Sequence, residues 1–338
     1  MSKYTLSIGI VGLPNVGKST LFKLITKQEV NIANYPFATI DPNVGVVAVP
    51  DERLEKLAKL SKSKKVIPAV VEFYDIAGLV KGANKGEGLG NQFLSHIREV
   101  NAVVEVVRCF ESSEIIHIEN KVDPLKDIDT VNTELILKDL ETVEKRIVKL
   151  EGEARAGDNK KIKELEAAKK IQDGLNKNIL AINLDEYLIK ELVIKEMNLL
   201  TSKPQIYLLN GATEDVSEEL KAKIKSLKAD YLISDLGREQ SVNDLIKKAY
   251  KILGLISFLT TGEDETRAWT IQQGAKAPEA AGVIHTDFEK KFIRAEVVDW
   301  KKLLEAGGWT EAKQKGLIRI EGKDYKVCDG DVMVVRHS

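Results

Sequence analysis

The feature that most constrains this 338-residue chain is a glycine-rich turn between an apolar strand and a helix. Residues 5–11 (TLSIGIV) are apolar and β-branched, which predicts a strand, and a helix is predicted to begin at Ser19. Residues 12–20 (GLPNVGKST) match the pattern G-x-x-x-x-G-K-[ST]. A loop of this kind surrounds phosphate oxygens with backbone N–H groups at the positive end of a helix. The sequence therefore predicts a nucleotide-binding domain of the α/β class.

Several groups are predicted to act on the phosphates and on a magnesium ion. Lys18 can bridge the β- and γ-phosphates, and the Ser19 hydroxyl can ligate Mg²⁺. Asp75 ends an apolar run and begins an Asp-x-x-Gly motif, so it can hold the Mg²⁺ shell while the N–H of Gly78 senses a γ-phosphate. Thr39 is placed in the preceding loop as a second, switchable ligand. This order of motifs specifies a GTPase-type switch domain.

The residue after that glycine departs from the usual switch GTPase. A glutamine commonly follows Asp-x-x-Gly and orients the attacking water. This chain has Leu79, whose side chain can neither donate nor accept a hydrogen bond. Catalysis must use another group, and we expect slow intrinsic turnover. The candidates are His117, a cation near Asn15, or a group supplied by a partner.

Two segments compete for recognition of the base. Residues 120–123 (NKVD) match the guanine motif Asn-Lys-x-Asp, but only about a dozen residues separate them from the strand that ends at Arg108. That spacing leaves no room for the intervening helix and strand of a doubly wound sheet. Asn210 is better placed, because it directly follows the apolar run 205–209, and it has no aspartate at the third position after it. The sequence therefore predicts relaxed or ATP-preferring specificity.

The remaining sequence predicts an inserted helical arm and a C-terminal module. Apolar runs at 44–49, 66–74, 102–108 and 205–209 predict a doubly wound parallel sheet. Between them lies a coiled-coil seam with 4-3-4-3 spacing, formed by Ile136, Leu140, Val143, Ile147 and Leu150. A second stripe follows after Gly157, formed by Ile162, Leu165, Ile171, Leu175, Ile179 and Ile182. The polar stretch 260–265 indicates a linker before short strands and helices typical of a β-grasp. The predicted domains are 1–123 plus 204–256, 124–203, and 257–338.

Composition excludes several classes of protein. Lys and Arg total 51 against 52 Asp and Glu, so a uniformly basic nucleic-acid binder is not expected. No apolar run approaches the ~18 to 20 residues that span a bilayer. The N-terminal residues lack a signal-peptide pattern, and Cys109 and Cys328 are too far apart for a C-x-x-C site. A cytoplasmic protein with reduced thiols and no membrane or DNA partner is predicted.

Taken together, the motifs resemble those of one family, the Obg-like ATPases, which form the YchF branch of the Obg family in the P-loop GTPase superfamily. The resemblance covers nearly the whole chain. It rests on residues 12–20, 34–40 (NYPFATI), 75–94 (DIAGLVKGANKGEGLGNQFL), 106–110 (VVRCF), 122–135 (VDPLKDIDTVNTEL) and 267–296. It implies an ATPase that also uses GTP, a helical arm, a C-terminal TGS domain of β-grasp fold, and association with the ribosome, at its large subunit or as the whole particle.

The resemblance also implies a role for individual residues. It puts the phosphates against Gly12, Asn15, Val16, Gly17, Lys18, Ser19, Thr20 and Gly78. It puts Mg²⁺ at Ser19, Thr39 and Asp75, and the base at Asn210 and Gly211. His117 matches a water-positioning histidine, and Asn15 suggests activation by K⁺.

Three features depart from the family pattern. The segment 231–243, where the resemblance implies the last base-contacting loop near Ser234, is shorter than the family's acidic stretch. The family usually reads Asn-x-x-Glu at the base, whereas this chain has Thr213 at that place and Glu214 one residue later. Ala38 stands where some members carry a redox-responsive cysteine, so that regulation is not expected.

Partners and alternatives remain open at this level. Lys290, Lys291 and Arg294, beside Phe288 and Phe292, predict a ribosomal RNA contact, with a solvated edge as the other interpretation. Two other functions compete with an ATP-hydrolysing switch. One is a GTP-specific ribosome-associated GTPase, and the other is a nucleotide-gated ribosome-binding module with negligible hydrolysis.

Overall fold

The computed structural model describes residues 7–28, 43–76, 96–112, 121–155, 157–190 and 192–338. The described chain divides into two compact units. One consists of Ser7–Leu24 with Phe73–Ser241, and the other of Ile25–Glu72 with Val242–Ser338. Within the described residues, no helix has both the length and the apolar character required to span a membrane.

Among the described residues, the first sheet has six strands, in the order β2-β4-β1-β5-β6-β7. Their bounds are β1 Ser7–Val11, β2 Val44–Ala48, β4 Val70–Asp75, β5 Ala102–Arg108, β6 Gln205–Asn210 and β7 Asp230–Ser234. The pairs β1–β5, β5–β6 and β6–β7 are parallel. Every residue of β1, β5 and β6 is buried, as expected for strands covered on both faces. The parallel strands therefore bring their carboxyl ends to one edge, where Arg108 pairs with Asn210 and Asn210 with Ser234.

Helices connect these strands and form the arm. Helix α1 (Lys18–Thr26) follows β1, and helix α7 (Glu218–Ser226) lies between β6 and β7. The arm consists of α3 (Pro124–Ala154) and α4 (Asn159–Asn176). Short segments lead back to β6: the turns Ala181–Asn183 and Leu200–Ser202, and the helices α5 (Glu186–Lys190) and α6 (Leu192–Met197).

The arm has its own apolar core. The predicted seam is buried at Ile136, Val143, Ile147 and Leu150, which pack with Ala168, Ile171 and Leu175 of α4. Helix α3 begins earlier than its apolar periodicity because Asp123 caps it and Pro124 occupies its first position. Of the predicted second stripe, Ile162 remains 37% exposed and Ile179 lies beyond the end of α4.

A buried carboxylate anchors the arm to β6. The side chain of Asp139 on α3 has no exposed surface and accepts three hydrogen bonds. The donors are the backbone N–H groups of Leu200 and Thr201, both at 2.8 Å, and the Thr201 hydroxyl at 2.7 Å. Burial raises the pKa of Asp139, while these hydrogen bonds oppose that effect. The middle of α3 is thereby fixed to the turn that precedes β6.

The second sheet has the order β11-β10-β12-β8-β9-β3. Its strands are β3 Lys65–Ile67, β8 Leu255–Thr261, β9 Glu265–Gln272, β10 Phe292–Asp299, β11 Arg319–Glu321 and β12 Asp331–His337. The pairs β8–β9 and β10–β12 are antiparallel, and β12–β8 is parallel. The helices of this unit are α2 (Glu52–Ser61), α8 (Asn243–Ile252), α9 (Ala277–Ile284), α10 (Thr286–Lys290), α11 (Trp300–Ala306) and α12 (Trp309–Gln314).

Two sequence interpretations of this region were wrong. Residues 260–265 are not a linker, because β8 runs to Thr261 and β9 begins at Glu265, so the stretch forms a hairpin. The run 66–74 is not one strand either, because it divides around Pro68 into β3 and β4, and β3 pairs with β9. The segment that contains α2 and β3 thus belongs to the same unit as the C-terminal residues. The three-domain scheme places its boundaries elsewhere and stays a prediction.

Candidate nucleotide-binding site

A cavity of about 1020 Å³ lies at the carboxyl edge of the parallel strands. Four segments of the described chain line it, and each lies at the end of one strand. They are the phosphate loop after β1 (Asn15, Gly17, Lys18, Ser19, Thr20), the end of β5 (Cys109, Phe110, Glu111), the end of β6 (Asn210, Ala212, Glu214, Asp215) and residues 235–238 after β7. Ligands of open α/β sheets bind in such a crevice outside the carboxyl ends of the strands.

The phosphate loop has a backbone path that glycine makes possible. Gly12 and Gly17 have φ angles of 141° and 109°, and Asn15 also has a positive φ, 63°. A Cβ on Gly12 would lie 2.5 Å from the Val106 carbonyl oxygen, and one on Gly17 would lie 2.5 Å from Nδ2 of Asn210. At both positions a residue with a side chain would be strained in φ and would collide with a neighbouring atom, so glycine is required.

Lys18 and Asp75 are electrostatically coupled beside this loop. The Lys18 Nζ donates to the Leu13 carbonyl oxygen at 2.7 Å. Burial lowers the pKa of Lys18 to about 8, and the charge of Asp75 opposes this. Burial raises the pKa of Asp75, and Lys18 acts in the opposite direction. A cation and a carboxylate thus meet where the triphosphate and its metal ion are predicted to bind.

The chemistry of the oxygen donors at this point fits magnesium. Ser19 lines the cavity, and Asp75, the last residue of β4, interacts electrostatically with Lys18. Mg²⁺ prefers such oxygen ligands and usually takes one or two from the protein and others from phosphates and water. The described residues hold no group of three or more His, Cys, Asp or Glu side chains that could bind a metal.

Asn210 connects three of the segments that line the cavity. Its side chain is 4% exposed, and its Nδ2 donates to the Val16 carbonyl oxygen at 2.8 Å. Its Oδ1 accepts from the backbone N–H of Leu236 at 3.1 Å. The Gly211 N–H donates to the Ser234 carbonyl oxygen at 3.2 Å. The structure therefore places Asn210 and Gly211 at the junction of the phosphate loop with the loops after β6 and β7.

The loop after β6 brings two carboxylates to the cavity. Residues Thr213–Asp215 form a single 3-10 turn, and Asp215 Oδ2 accepts from the Ala212 N–H at 2.8 Å. Glu214 is exposed and lines the cavity. The guanine-reading position, three residues after Asn210, is Thr213 and not an aspartate. Glu214 is available for a ligand, whereas Asp215 stabilises its own turn.

The NKVD tetrapeptide has a different role in its described part. Asp123 is the N-cap of α3, and its side chain accepts from the Lys126 N–H at 3.1 Å. It lines a separate cavity of about 240 Å³ rather than the large one. Asn120 lies outside the described residues. The helix cap accounts for Asp123 without any contact to a base.

Comparisons with known proteins agree with this architecture. The profile of a family described as 50S ribosome-binding GTPase matches residues 7–148, and a C-terminal YchF GTPase domain, described as a protein of unknown function, matches residues 255–338. The ribosome-binding ATPase YchF of Bacillus subtilis is 46% identical over 98% of this chain and 99% of its own length. The YchF of Escherichia coli O157:H7 is 45% identical over 96% and 97%. The chain belongs to the YchF family.

A solved YchF structure confirms the predicted fold class. The Schizosaccharomyces pombe YchF GTPase superposes with a TM-score of 0.86 at 37% identity, over 99% of both chains. The mixed α/β architecture with a P-loop sheet and a second, C-terminal sheet is therefore the fold of this family.

Several site predictions for this YchF chain fall outside the described residues. They concern Thr39, Gly78, Leu79 and His117, whose roles stay predictions. Sequence reasoning missed Cys109, Phe110 and Glu111, and it placed a base-contacting loop within 231–243 without identifying residues 235–238. The loop gives no motif because Leu236 acts through its backbone N–H, which any residue except proline could supply. Phe110 could have been found from its place two residues after a buried strand.

Proposed function

We propose that the chain is a Mg²⁺-dependent ATPase, able to use GTP less well, that works as a nucleotide switch on the ribosome. The observation that carries the base preference is Asn210, which is bonded to the phosphate loop and to the loop after β7, and which has Thr213 instead of an aspartate at the third position after it. Adenine presents an amine at the position where guanine presents a carbonyl oxygen. A base site that lacks the guanine-reading carboxylate lacks the group that mainly favours guanine over adenine.

The chain's own residues would divide the chemistry between them. Backbone N–H groups of the phosphate loop and Lys18 would hold the β- and γ-phosphates, and Ser19, Thr39 and Asp75 would hold Mg²⁺. When bound, Mg²⁺ would neutralise charge that develops on the phosphate oxygens. His117 would position the attacking water, since Leu79 cannot, and Asn15 would be a ligand of an activating K⁺. We expect slow turnover by the isolated protein.

Ribosome association rests on the relatives. The Bacillus subtilis and Escherichia coli O157:H7 proteins are both named ribosome-binding ATPases. We propose the large subunit or the assembled particle as partner, which would make the protein cytoplasmic.

A ribosomal RNA contact would use the C-terminal unit. Lys290, Lys291 and Arg294 are exposed there and could contact phosphates. Phe292 is 4% exposed in the core of that unit, so it is excluded as a surface on which a base stacks. Phe288 stacks on His337 with ring centroids 4.1 Å apart.

Calorimetric titration with non-hydrolysable ATP and GTP analogues, in Mg²⁺ and K⁺, tests the nucleotide preference. Tighter binding of the ATP analogue supports the proposal. Strong preference for the GTP analogue would contradict it and favour a GTP-specific enzyme. Turnover measured with and without ribosomes then separates a hydrolysing switch from a binding module, because the latter would release no phosphate in either condition.

A further inference from the structure

The last residue of β5 is a buried arginine. Arg108 is only 1% exposed and is among the largest fully buried side chains of the described chain. A guanidinium is almost never placed in a protein interior unless its donors are paired, because removing its charge from water is costly. The burial of Arg108 therefore indicates that its contacts have a specific role.

One of those groups is Phe110, which Arg108 contacts in two ways. The Nε of Arg108 donates to the Phe110 carbonyl oxygen at 3.0 Å. The guanidinium carbon lies 4.7 Å from the centre of the Phe110 ring, within the range of a cation–π contact. The first contact fixes the backbone and the second fixes the ring, so the orientation of Phe110 depends on Arg108.

Phe110 lies at the end of the cavity where the base is expected. It lines the cavity next to the end of β6, because Arg108 is paired with Asn210 and the Cys109 N–H donates to the Asn210 carbonyl oxygen at 2.9 Å. Asn210 itself is fixed by the phosphate loop and by Leu236. An aromatic ring held in this place offers a flat surface on which a base can stack.

We propose that Arg108 is a positioning residue for the base: it holds the Phe110 ring in place as a wall of the base site. The inference rests on the proposed nucleotide-binding function and adds a residue that acts on the base through Phe110. It follows that Arg108 contributes to affinity for ligands that carry a base. Affinity for the phosphates alone depends on the loop after β1.

Two ligands separate these contributions. The first is Mg²⁺ with a non-hydrolysable ATP analogue, and the second is Mg²⁺ with inorganic tripolyphosphate, which has no base and is measured by its competition with the analogue. Arg108→Met, which lacks the donors and the charge, is expected to weaken binding of the analogue about tenfold. Its affinity for tripolyphosphate should remain that of the wild type. Phe110→Ala should give the same pattern.

The double variant R108M/F110A shows whether Arg108 acts through Phe110. Its affinity for the analogue should equal that of Phe110→Ala, because the ring that Arg108 positions is already absent. Arg267→Met is a matched control. Its guanidinium carbon lies 4.1 Å from the Trp269 ring in the other compact unit, and its loss should leave both affinities unchanged.

Different outcomes overturn different statements. Equal losses for the analogue and tripolyphosphate in a folded Arg108→Met protein would show a general structural role, and additive losses in the double variant would show action independent of Phe110. Either result overturns the inference while the proposed function stands. If wild-type protein binds neither nucleotide analogue, the proposed function itself fails. If Arg108→Met does not fold, Arg108→Lys, which keeps the charge but loses the planar fork, should show a smaller loss confined to the analogue.

Discussion

Asn210 bonds to two loops through the two polar atoms of one side chain, so its contribution to the cavity is structural as well as chemical. Its amide donates to the carbonyl of Val16 and accepts from the N–H of Leu236. Both partners are backbone groups, which cannot move away without distorting the loops that carry them. Residues at such junctions determine the shape of a site even where they make few contacts with the ligand.

Replacing Asn210 by Ala should therefore weaken ATP binding by about tenfold or more, since two buried hydrogen bonds are lost and their partners are left unsatisfied. Calorimetric titration measures this loss. Asn176→Ala serves as the control, because Asn176 is exposed at the end of α4. An unchanged affinity in the Asn210 variant would show that the loops hold their positions without it.

The two cysteines should differ in reactivity. Burial, followed by the charges of Asp215 and Asp127, raises the pKa of Cys109 to about 12, whereas Cys328 is exposed. Only the thiolate is nucleophilic, so raising the pH from 7 to 9 leaves Cys109 protonated in the folded protein. We expect a disulfide reagent to modify one thiol per chain at pH 8, and none in Cys328→Ser. A second fast thiol in the native wild type would contradict the burial of Cys109.

At the scale of elements, the arm shows how periodicity specifies structure. The five residues of the predicted seam all lie on α3, and four of them are buried against α4 and the segments after it. A 3.5-residue repeat places apolar side chains on one stripe, and a stripe needs a partner helix to cover it. The sequence therefore predicted both the apolar stripe on α3 and the second helix that covers it.

Leu150→Ala should lower the free energy of unfolding by about 2–5 kcal/mol, because it leaves a cavity in the arm core. Leu150 is 0% exposed, and Val148 on the same helix is 72% exposed. Val148→Ala should therefore leave the stability nearly unchanged. Urea unfolding followed by circular dichroism compares the two, and equal effects would contradict the packing of the arm.

The elements also show where sequence reasoning stopped. Strand β5 and the position of Asn210 were predictable, because a buried β-branched run and the residue after it are local signals. The partner of β3 was not predictable, since an apolar strand pattern specifies burial but does not specify which sheet is joined. Arg108 was missed for the opposite reason: a charged residue at the end of a strand is usually exposed.

At the scale of the whole chain, two distant stretches of sequence build the C-terminal unit. Helix α2 packs against β8 and β9, and β3 extends the sheet beside β9. Arg53 at the start of α2 donates to Asp329 at 2.6 Å, and the Ser63 hydroxyl donates to the Gly262 carbonyl oxygen at 2.6 Å. Leu54 and Leu57 are buried on the side of α2 that covers this unit. Residues 43–72 therefore supply a helix and a strand to the unit that contains residues 242–338.

We expect a fragment of residues 257–338 not to fold cooperatively, because β8 is cut and the face of the sheet that α2 and α8 cover becomes exposed. A chain that joins 43–72 to 242–338 through a flexible linker should restore cooperative unfolding. Thermal unfolding and the dispersion of amide proton resonances measure both. Cooperative unfolding of the 257–338 fragment alone would show that the C-terminal module is autonomous.

Because this unit is built from two separate stretches of sequence, it limits which recombinants between members of the family can fold. A recombinant that takes its C-terminal residues from another relative at a single crossover near residue 257 would join a foreign sheet to the native α2 and β3. Arg53 and Ser63 would then have to bond to C-terminal residues of another relative, which evolved beside that relative's own helix. Viable chimeras should instead need three crossovers, two around residues 43–72 and one before the C-terminal segment, so that both stretches come from the same relative.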